Sequence, residues 1–394
     1  MIGLETLEEY LLEEISKPDS VSELSLYSGL AGKIYSLQYY YLLTKDPKVL
    51  EILEERVAFL MENIEQVSMT TFCNGLSGVL YCLNDLRKNE LISISEEDLA
   101  IADAFLFENF EHGLLNNDCD FFHGLTGVGS YFLMRARDTG EYSQVKYIVN
   151  AILSNIKNVK GFKTWKKLPY MEEDEEVIDL GFAHGLPSIL LFLASVAENN
   201  IRRQEIEEVI ASNFDLLKRV KNLNTTRTFF PDGISDEFIG NTDSSRLAYC
   251  YGDIGIAFSL LRCGEILNRV DYIEEAERIV ENTLSFYLAE EVDETCFCHG
   301  LAGLILFYKY FAVKFKKPVY EEVSNHWRCL LEQKWRQYGE NALDFTSYSK
   351  ERGYYKETNT GLLEGYCGVF LVCISDRMQF SNILRWSKCF LINP

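Results

Sequence analysis

Apolar residues in this chain gather into short runs, each placed just after a recurring glycine element. Val79-Leu80-Tyr81-Cys82-Leu83, Ile189-Leu190-Leu191-Phe192-Leu193, Ile256-Ala257-Phe258-Ser259-Leu260-Leu261 and Leu304-Ile305-Leu306-Phe307-Tyr308 are apolar on nearly every helical face. Helices of that kind are buried on nearly every face. The segments between them, such as Ile206 to Leu217 and Tyr272 to Leu288, are amphipathic and acidic, and predict an outer layer.

The punctuation is a Gly-x-x-Gly element that occurs seven times. The copies are Gly29-Leu30-Ala31-Gly32, Gly75-Leu76-Ser77-Gly78, Gly124-Leu125-Thr126-Gly127, Gly185-Leu186-Pro187-Ser188, Gly252-Asp253-Ile254-Gly255, Gly300-Leu301-Ala302-Gly303 and Gly365-Tyr366-Cys367-Gly368. The fourth ends in Ser188, and its Pro187 suits the first turn of a helix. Short intervals between first glycines are 46, 49 and 48 residues, enough for two helices and their connections. The first glycine is expected to hold a backbone geometry that a Cβ would oppose, and the second to let helices approach closely. These features predict an all-α protein, an α/α toroid of seven helical hairpins in one domain spanning 1–394. An open solenoid would expose one side of such apolar helices.

Three inter-repeat segments exceed the short period: Gly161 to Leu180, Asn222 to Ser245 and Tyr338 to Thr360. They carry Thr225-Thr226-Arg227-Thr228-Phe229-Phe230 and Tyr354-Tyr355, and predict short β-strands or lids beside the chamber, with a groove among them for a peptide.

Chemistry concentrates at the mouths of the motifs. Cys298-His299 precedes the sixth and Cys250-Tyr251 leads into the fifth. Two sulfurs and an imidazole at one end of the array predict a zinc site on Cys250, Cys298 and His299, with one position left open as in catalytic zinc sites. A free thiol is mostly protonated at neutral pH, whereas zinc deprotonates a coordinated one. The predicted enzyme therefore works on thiols. Adjacent residues Cys298 and His299 can both ligate only from a loop ahead of a helix. His184 precedes the fourth motif as His299 precedes the sixth, and a histidine there suits proton transfer near neutral pH. Cys296 is a conceivable fourth ligand, which would close the site. His123, beside Cys119 and Asp120, is expected to line the chamber or have no role.

Composition narrows the classes. Hydrophobic content of 47% with only 7 prolines excludes disorder, and no apolar run approaches a membrane span. Met1 to Lys17 is acidic and amphipathic, unlike a signal peptide, which predicts a cytoplasmic protein. Eleven cysteines are then expected to stay reduced, with Cys73, Cys82, Cys263, Cys329, Cys367, Cys373 and Cys389 as buried small hydrophobes. His112 and His326 are expected at the surface. A formal net charge of −22 argues against nucleic-acid binding.

The seven glycine motifs, with Cys-Tyr-Gly in the fifth and Cys-His-Gly in the sixth, resemble the lanthionine synthetase C (LanC) family from about Leu26 to Cys373. Chain length without a large extra domain is similar to its stand-alone class I lanthipeptide cyclases. The resemblance implies a toroid with one central Zn2+, in which cysteine thiols of a precursor peptide add to dehydroalanine or dehydrobutyrine and close thioether rings. It implies an acid/base role for His184, an active-site role for Asp120 by its spacing to Gly124, and roles for Arg246 and Tyr251 at the developing enolate. Asp120 and Arg246 would alternatively pair with each other. Implied partners are the dehydrated precursor (leader plus core), a lanthipeptide dehydratase and an export transporter, assembled at the inner membrane face. Other readings are a LanC-like enzyme that adds glutathione to dehydroamino acids, a non-enzymatic zinc-stabilised scaffold, and a toroid glycosidase or prenyl-group transferase. A glycosidase would need a carboxylate pair, for which Asp120 and Asp253 are the candidates.

Overall fold

The structure is a computed structural model that describes residues 4–18, 23–113, 118–167, 176–223, 227–235, 244–349 and 352–392. Among them are fifteen α-helices: α1 (Leu4–Ser16), α2 (Leu30–Thr44), α3 (Pro47–Asn63), α4 (Leu76–Lys88), α5 (Glu96–Gly113), α6 (Leu125–Thr139), α7 (Ser143–Ser154), α8 (Leu186–Ala197), α9 (Arg203–Val220), α10 (Asp253–Leu267), α11 (Val270–Thr283), α12 (Leu301–Phe315), α13 (Pro318–Tyr338), α14 (Tyr366–Ile374) and α15 (Phe380–Trp386). Three two-stranded antiparallel pieces join them. They are β1 (Lys157–Val159) with β2 (Phe162–Thr164), β3 (Ile178–Asp179) with β4 (Gly233–Ile234), and β5 (Phe345–Ser349) with β6 (Gly353–Glu357). β2 to β6 fall in the three long segments where short strands were expected. Thr225 and Thr226, and with them parts of each expected lid, lie outside the described residues.

Seven helices (α2, α4, α6, α8, α10, α12 and α14) each begin at the residue after the first glycine of a motif. All twelve residues of α8 and all nine of α14 are buried. The helices that follow bury one stripe only. In α9 this is Ile206, Val209, Ile210, Asn213, Phe214, Leu216, Leu217 and Val220. The alternation of fully apolar and amphipathic segments therefore becomes inner and outer helices.

The chain divides into two units. In the first (Met1–Phe110 with Glu291–Ser387), α12 packs on α14, α14 on α2 and α2 on α4, while α1 lies against α14 through a face that buries Leu7, Leu11 and Ile15. In the second (Glu111–Glu290 with Lys388–Pro394), α6 packs on α8 and α8 on α10, each backed by its own outer helix.

The first glycines hold a geometry that a Cβ would oppose, as expected, and at the second glycines too the nearest obstacle is loop backbone. Six of the seven first glycines have ordinary extended φ, and only Gly252 is left-handed, at +96°. What forbids a side chain is main chain. A Cβ on Gly29, Gly75, Gly124, Gly185, Gly252, Gly300 or Gly365 would come within 3.0 Å of the carbonyl oxygen six residues earlier. The same holds for Gly32, Gly78, Gly255, Gly303 and Gly368. The preceding loop thus folds back over the helix start, and its carbonyls take N–H groups of the first turn: Leu30 to Glu23 (3.0 Å), Leu76 to Met69 (2.8 Å), Leu125 to Asp118 (2.8 Å), Leu301 to Glu294 (3.0 Å) and Tyr366 to Asn359 (2.9 Å). None of these seven helices has a side-chain N-cap; the loop satisfies donors that would otherwise be orphaned. Outer helix α3, by contrast, starts with Asp46 accepting from Lys48 N (2.9 Å) ahead of Pro47.

These loops also touch one another. Within the first unit Cys298 N donates to Leu363 O (2.9 Å), Leu363 N to Tyr27 O (3.4 Å) and Tyr27 N to Cys73 O (3.2 Å). The residue six positions before each second glycine wedges against the next repeat's second glycine: Phe297 against Gly368, Leu362 against Gly32, and Leu26 against Gly78. In the second unit Phe182 N donates to Cys250 O (2.6 Å) and Phe182 wedges against Gly255.

Candidate functional site

The loop before α6 is organised by one carboxylate. Asp120 Oδ1 accepts the backbone N–H groups of His123 (2.5 Å) and Gly124 (3.2 Å). Its other oxygen, Oδ2, lies 2.7 Å from His184 Nδ1 and accepts from Lys167 Nζ at 2.9 Å. The side chain of Asp120 is 1% exposed, against 18% for His184 and 14% for Lys167. Burial alone would raise the Asp120 carboxyl, but the His184 hydrogen bond and the Lys167 charge outweigh it and hold it at about 2. An ionised carboxylate only accepts, so the proton in the Asp120–His184 bond belongs to Nδ1. Phe122 meets the His184 ring edge-on at 5.1 Å, and His123 stacks on it at 5.8 Å and 18°. Asp118, Cys119, Trp165 and Asp179 complete a small cleft here.

Tyr251 is tied to the same group of loops. Its hydroxyl donates to Asp179 Oδ2 (3.1 Å), while Asp179 Oδ1 accepts from Gly181 N (2.7 Å). Burial raises the Asp179 carboxyl against these bonds and the nearby Lys167 charge. A Cβ on Gly181 would meet the Tyr251 ring at under 3.0 Å, so glycine here sets where that ring lies.

Arg246 has an exposed side chain, while its backbone carbonyl fills the space a Cβ on Gly252 would need. The cation on Asp120 is Lys167, which replaces the Asp120–Arg246 pairing considered from the sequence. Lys167 and Asp179 escaped the sequence reading because neither sits in a repeated motif.

Cys250, Cys298 and His299 each offer one ligand atom, and these atoms all lie within 4.8 Å of one another. Both cysteines are nearly buried. Two thiols and an imidazole are the soft-to-borderline donors that suit zinc. Cys296 is buried but stands outside this group, and among the described residues no comparable group gathers Cys119, Asp120 and His123. Burial pushes the Cys119 thiol up to about 12. None of the eleven cysteines is in a disulfide; Cys329 is exposed, not buried as expected, because it lies off the buried stripe of amphipathic α13. His326 is half-buried with its ring on Trp327, and the His112 side chain lies outside the described residues.

Asp253 is no substrate carboxylate. It is fully buried at the start of α10, accepting from the backbone N–H groups of Phe229 (2.9 Å) and Phe230 (3.2 Å). The pair a glycosidase needs is therefore not formed with it.

Residues 20–391 match the family model described as lanthionine synthetase C-like protein. The chain belongs to that family. Among curated relatives, nisin biosynthesis protein NisC from Lactococcus lactis subsp. lactis is 24% identical over 400 residues, covering 94% of this chain and 89% of that protein. Among solved structures, nisin cyclase superposes with a TM-score of 0.73 at 19% identity, covering 99% of this chain and 96% of that one. The fold of this family member is accordingly the all-α α/α toroid anticipated from the glycine repeats. Among the described residues, no helix is long and apolar enough to cross a membrane.

Proposed function

We propose that this LanC-family chain is a zinc-dependent lanthipeptide cyclase that forms lanthionine and methyllanthionine rings in a dehydrated precursor peptide. The observation that carries the reading is the grouping of Cys250, Cys298 and His299 at motif mouths in a chain similar to nisin cyclase. One Zn2+ per chain, held by these three residues, would supply thiol activation when bound.

The remaining chemistry falls to the chain's own side chains. Addition breaks the thiol S–H bond, forms the sulfur–Cβ bond and moves the alkene electron pair into an enolate, and it finishes when a proton reaches Cα to balance the one the thiol gave up. No electrons are lost or gained overall. His184, with Nδ1 committed to Asp120, exchanges that proton through Nε2. Asp120 orients the ring and fixes its tautomer. Tyr251 and Arg246 are the proposed stabilisers of the enolate oxygen, Tyr251 being steadied by Asp179. The peptide, its dehydratase and an export transporter are the proposed partners, and the proposed location is the cytoplasm, peripheral to the inner membrane face.

The test compares native chain with Cys298→Ala for zinc content and for loss of free thiols in a dehydrated precursor, counted by alkylation and mass spectrometry. The proposal expects one zinc and thiol consumption in the native chain and neither in the variant. Zinc without thiol consumption across several dehydrated peptides would favour glutathione addition or a scaffold. A native chain without zinc would remove the central inference.

A further inference from the structure

Lys167 belongs to no motif, yet it is held as firmly as the residues that do. Its N–H donates to Val177 O (2.8 Å) and its carbonyl accepts from Val177 N (3.0 Å). Two residues earlier, the buried Trp165 indole N–H donates to Ile152 O of α7 at 2.8 Å. The chain is thereby anchored at Lys167 itself and at Trp165 before it, and the lysine side chain runs to Asp120. Its ammonium shares Oδ2 with His184 Nδ1.

This arrangement differs from the ordinary ion pairs of the surface. Lys163 and Glu208, for instance, are both more than half exposed and 3.8 Å apart, and pairs of that kind contribute little. Asp120 is buried, so its charge persists only if every lone pair is used. Two backbone N–H groups serve Oδ1, while one ring nitrogen and one ammonium serve Oδ2. Without the ammonium, Asp120 would lose the fixed charge that helps keep it ionised in spite of its burial, and with it the acceptor that holds His184 Nδ1. Asp118, Asp179 and His123 also face this group, and Lys167 acts electrostatically on all three.

We propose that Lys167 is a positioning residue for proton transfer: its fixed charge on Asp120 Oδ2 holds that carboxylate as the acceptor of His184 Nδ1, which fixes the tautomer and orientation of the ring. The inference rests on the proton-transfer role given to His184 under the cyclase reading. Lys167 touches no reacting atom and works through Asp120.

The test uses full-length Lys167→Met and Lys167→Arg, both loaded with zinc and checked by thermal melting. Long-range 15N–1H spectra of histidine-labelled protein at pH 7, with His184 assigned through His184→Gln, read the tautomer without any substrate. The native protein and Lys167→Arg should show the single tautomer protonated at Nδ1, and Lys167→Met a mixture of tautomers. With a dehydrated peptide, Lys167→Met should lose about 10- to 100-fold in kcat with KM within about twofold, and Lys167→Arg should recover most of it. If Lys167→Met does not fold, Lys167→Gln, which keeps a donor without the charge, is expected to give the same spectrum and loss. A native His184 spectrum and native kcat in the uncharged variant would overturn the inference. Should the native protein form no thioethers on any peptide, the cyclase reading fails by itself, and the His184 spectra still decide the role of Lys167.

Discussion

Replacing Gly303 by alanine tests the claim that main chain, not a neighbouring helix, fills the space at the motif glycines. In an exposed helix interior this change stabilises by about 1 kcal/mol through helix propensity. Here the new methyl would meet Phe297 O well inside 3.0 Å, and ordinary van der Waals contact starts near 3.4 Å. Carbonyl and helix must separate by roughly 1 Å, a displacement that hydrogen bonds of normal length do not survive. Two such bonds cross the gap, Leu301 N to Glu294 O (3.0 Å) and Ala302 N to Thr295 O (3.2 Å). Ala302 and Leu301 are fully buried, so each broken bond leaves polar groups away from water, at about 1–3 kcal/mol apiece. Set against the propensity gain, the net loss is about 1–5 kcal/mol. Gly78→Ala, crowded by Phe72 O and by Leu26, should lose a similar amount. The two differ in one respect: Phe297 is joined directly to Cys298, so Gly303→Ala should also weaken zinc binding, while Gly78→Ala should not. Urea unfolding and competition with a chromogenic chelator measure the two quantities. If Gly303→Ala unfolds at or above the native urea midpoint, the carbonyl-packing argument is wrong. If both variants lose zinc equally, the local link to Cys298 is wrong.

Other substitutions reach the remaining parts of the site. Asp120→Asn should lower kcat for thioether formation by about 10²- to 10⁴-fold while leaving zinc content intact, as metal analysis beside the peptide assay would show. Gly181→Ala should displace the Tyr251 ring and break its bond to Asp179; equal activity and an unshifted tyrosine spectrum would contradict the contact described. Asp253 gives a pH signature. Burial raises its carboxyl to about 7, against the opposing pull of the Phe229 and Phe230 N–H groups. A carboxyl raised in the folded state stabilises most when protonated, below the unfolded value near 4, and that contribution is lost as pH rises through 7. Between pH 5 and 8 the native chain should therefore lose on the order of 3 kcal/mol from this group, and Asp253→Asn should flatten that slope in thermal melts. Asp120 acts in the opposite sense: held near 2, it stabilises above pH 4 and its contribution of about 2 kcal/mol disappears between pH 4 and 2. Acid unfolding of Asp120→Asn should lack that step.

Much of the fold was legible because glycine and apolar runs recur with a period, and a period survives without knowledge of contacts. The fully buried α8 and α14 follow directly from their unbroken hydrophobicity. Cys250, Cys298, His299 and His184 were legible because each is adjacent or next but one to a motif glycine. The physical role of those glycines was legible only in part. That a Cβ would be opposed at the first glycines was legible, but a carbonyl six residues away leaves no mark on residue type, so the group that opposes it was not. Lys167 and Asp179 were hidden for a different reason. Their positions depend on the Lys167–Val177 bridge and the β3–β4 pairing, both inside long segments with no internal repeat to set their register. Arg246 illustrates the limit of spacing: four residues before Cys250, it is exposed, and the cation that meets Asp120 arrives from another loop.

The loop carbonyls over the motif glycines bear on how such a chain can diverge. A packing rule written in main-chain atoms is indifferent to nearly every side chain around it. It requires a missing Cβ at a few places and apolar bulk behind them, and asks little else of the remaining letters. Two chains can then differ at most of their residues and still superpose, as this one and nisin cyclase do with a TM-score of 0.73 at 19% identity. In such an architecture the fold is written as much in where side chains are absent as in where they stand.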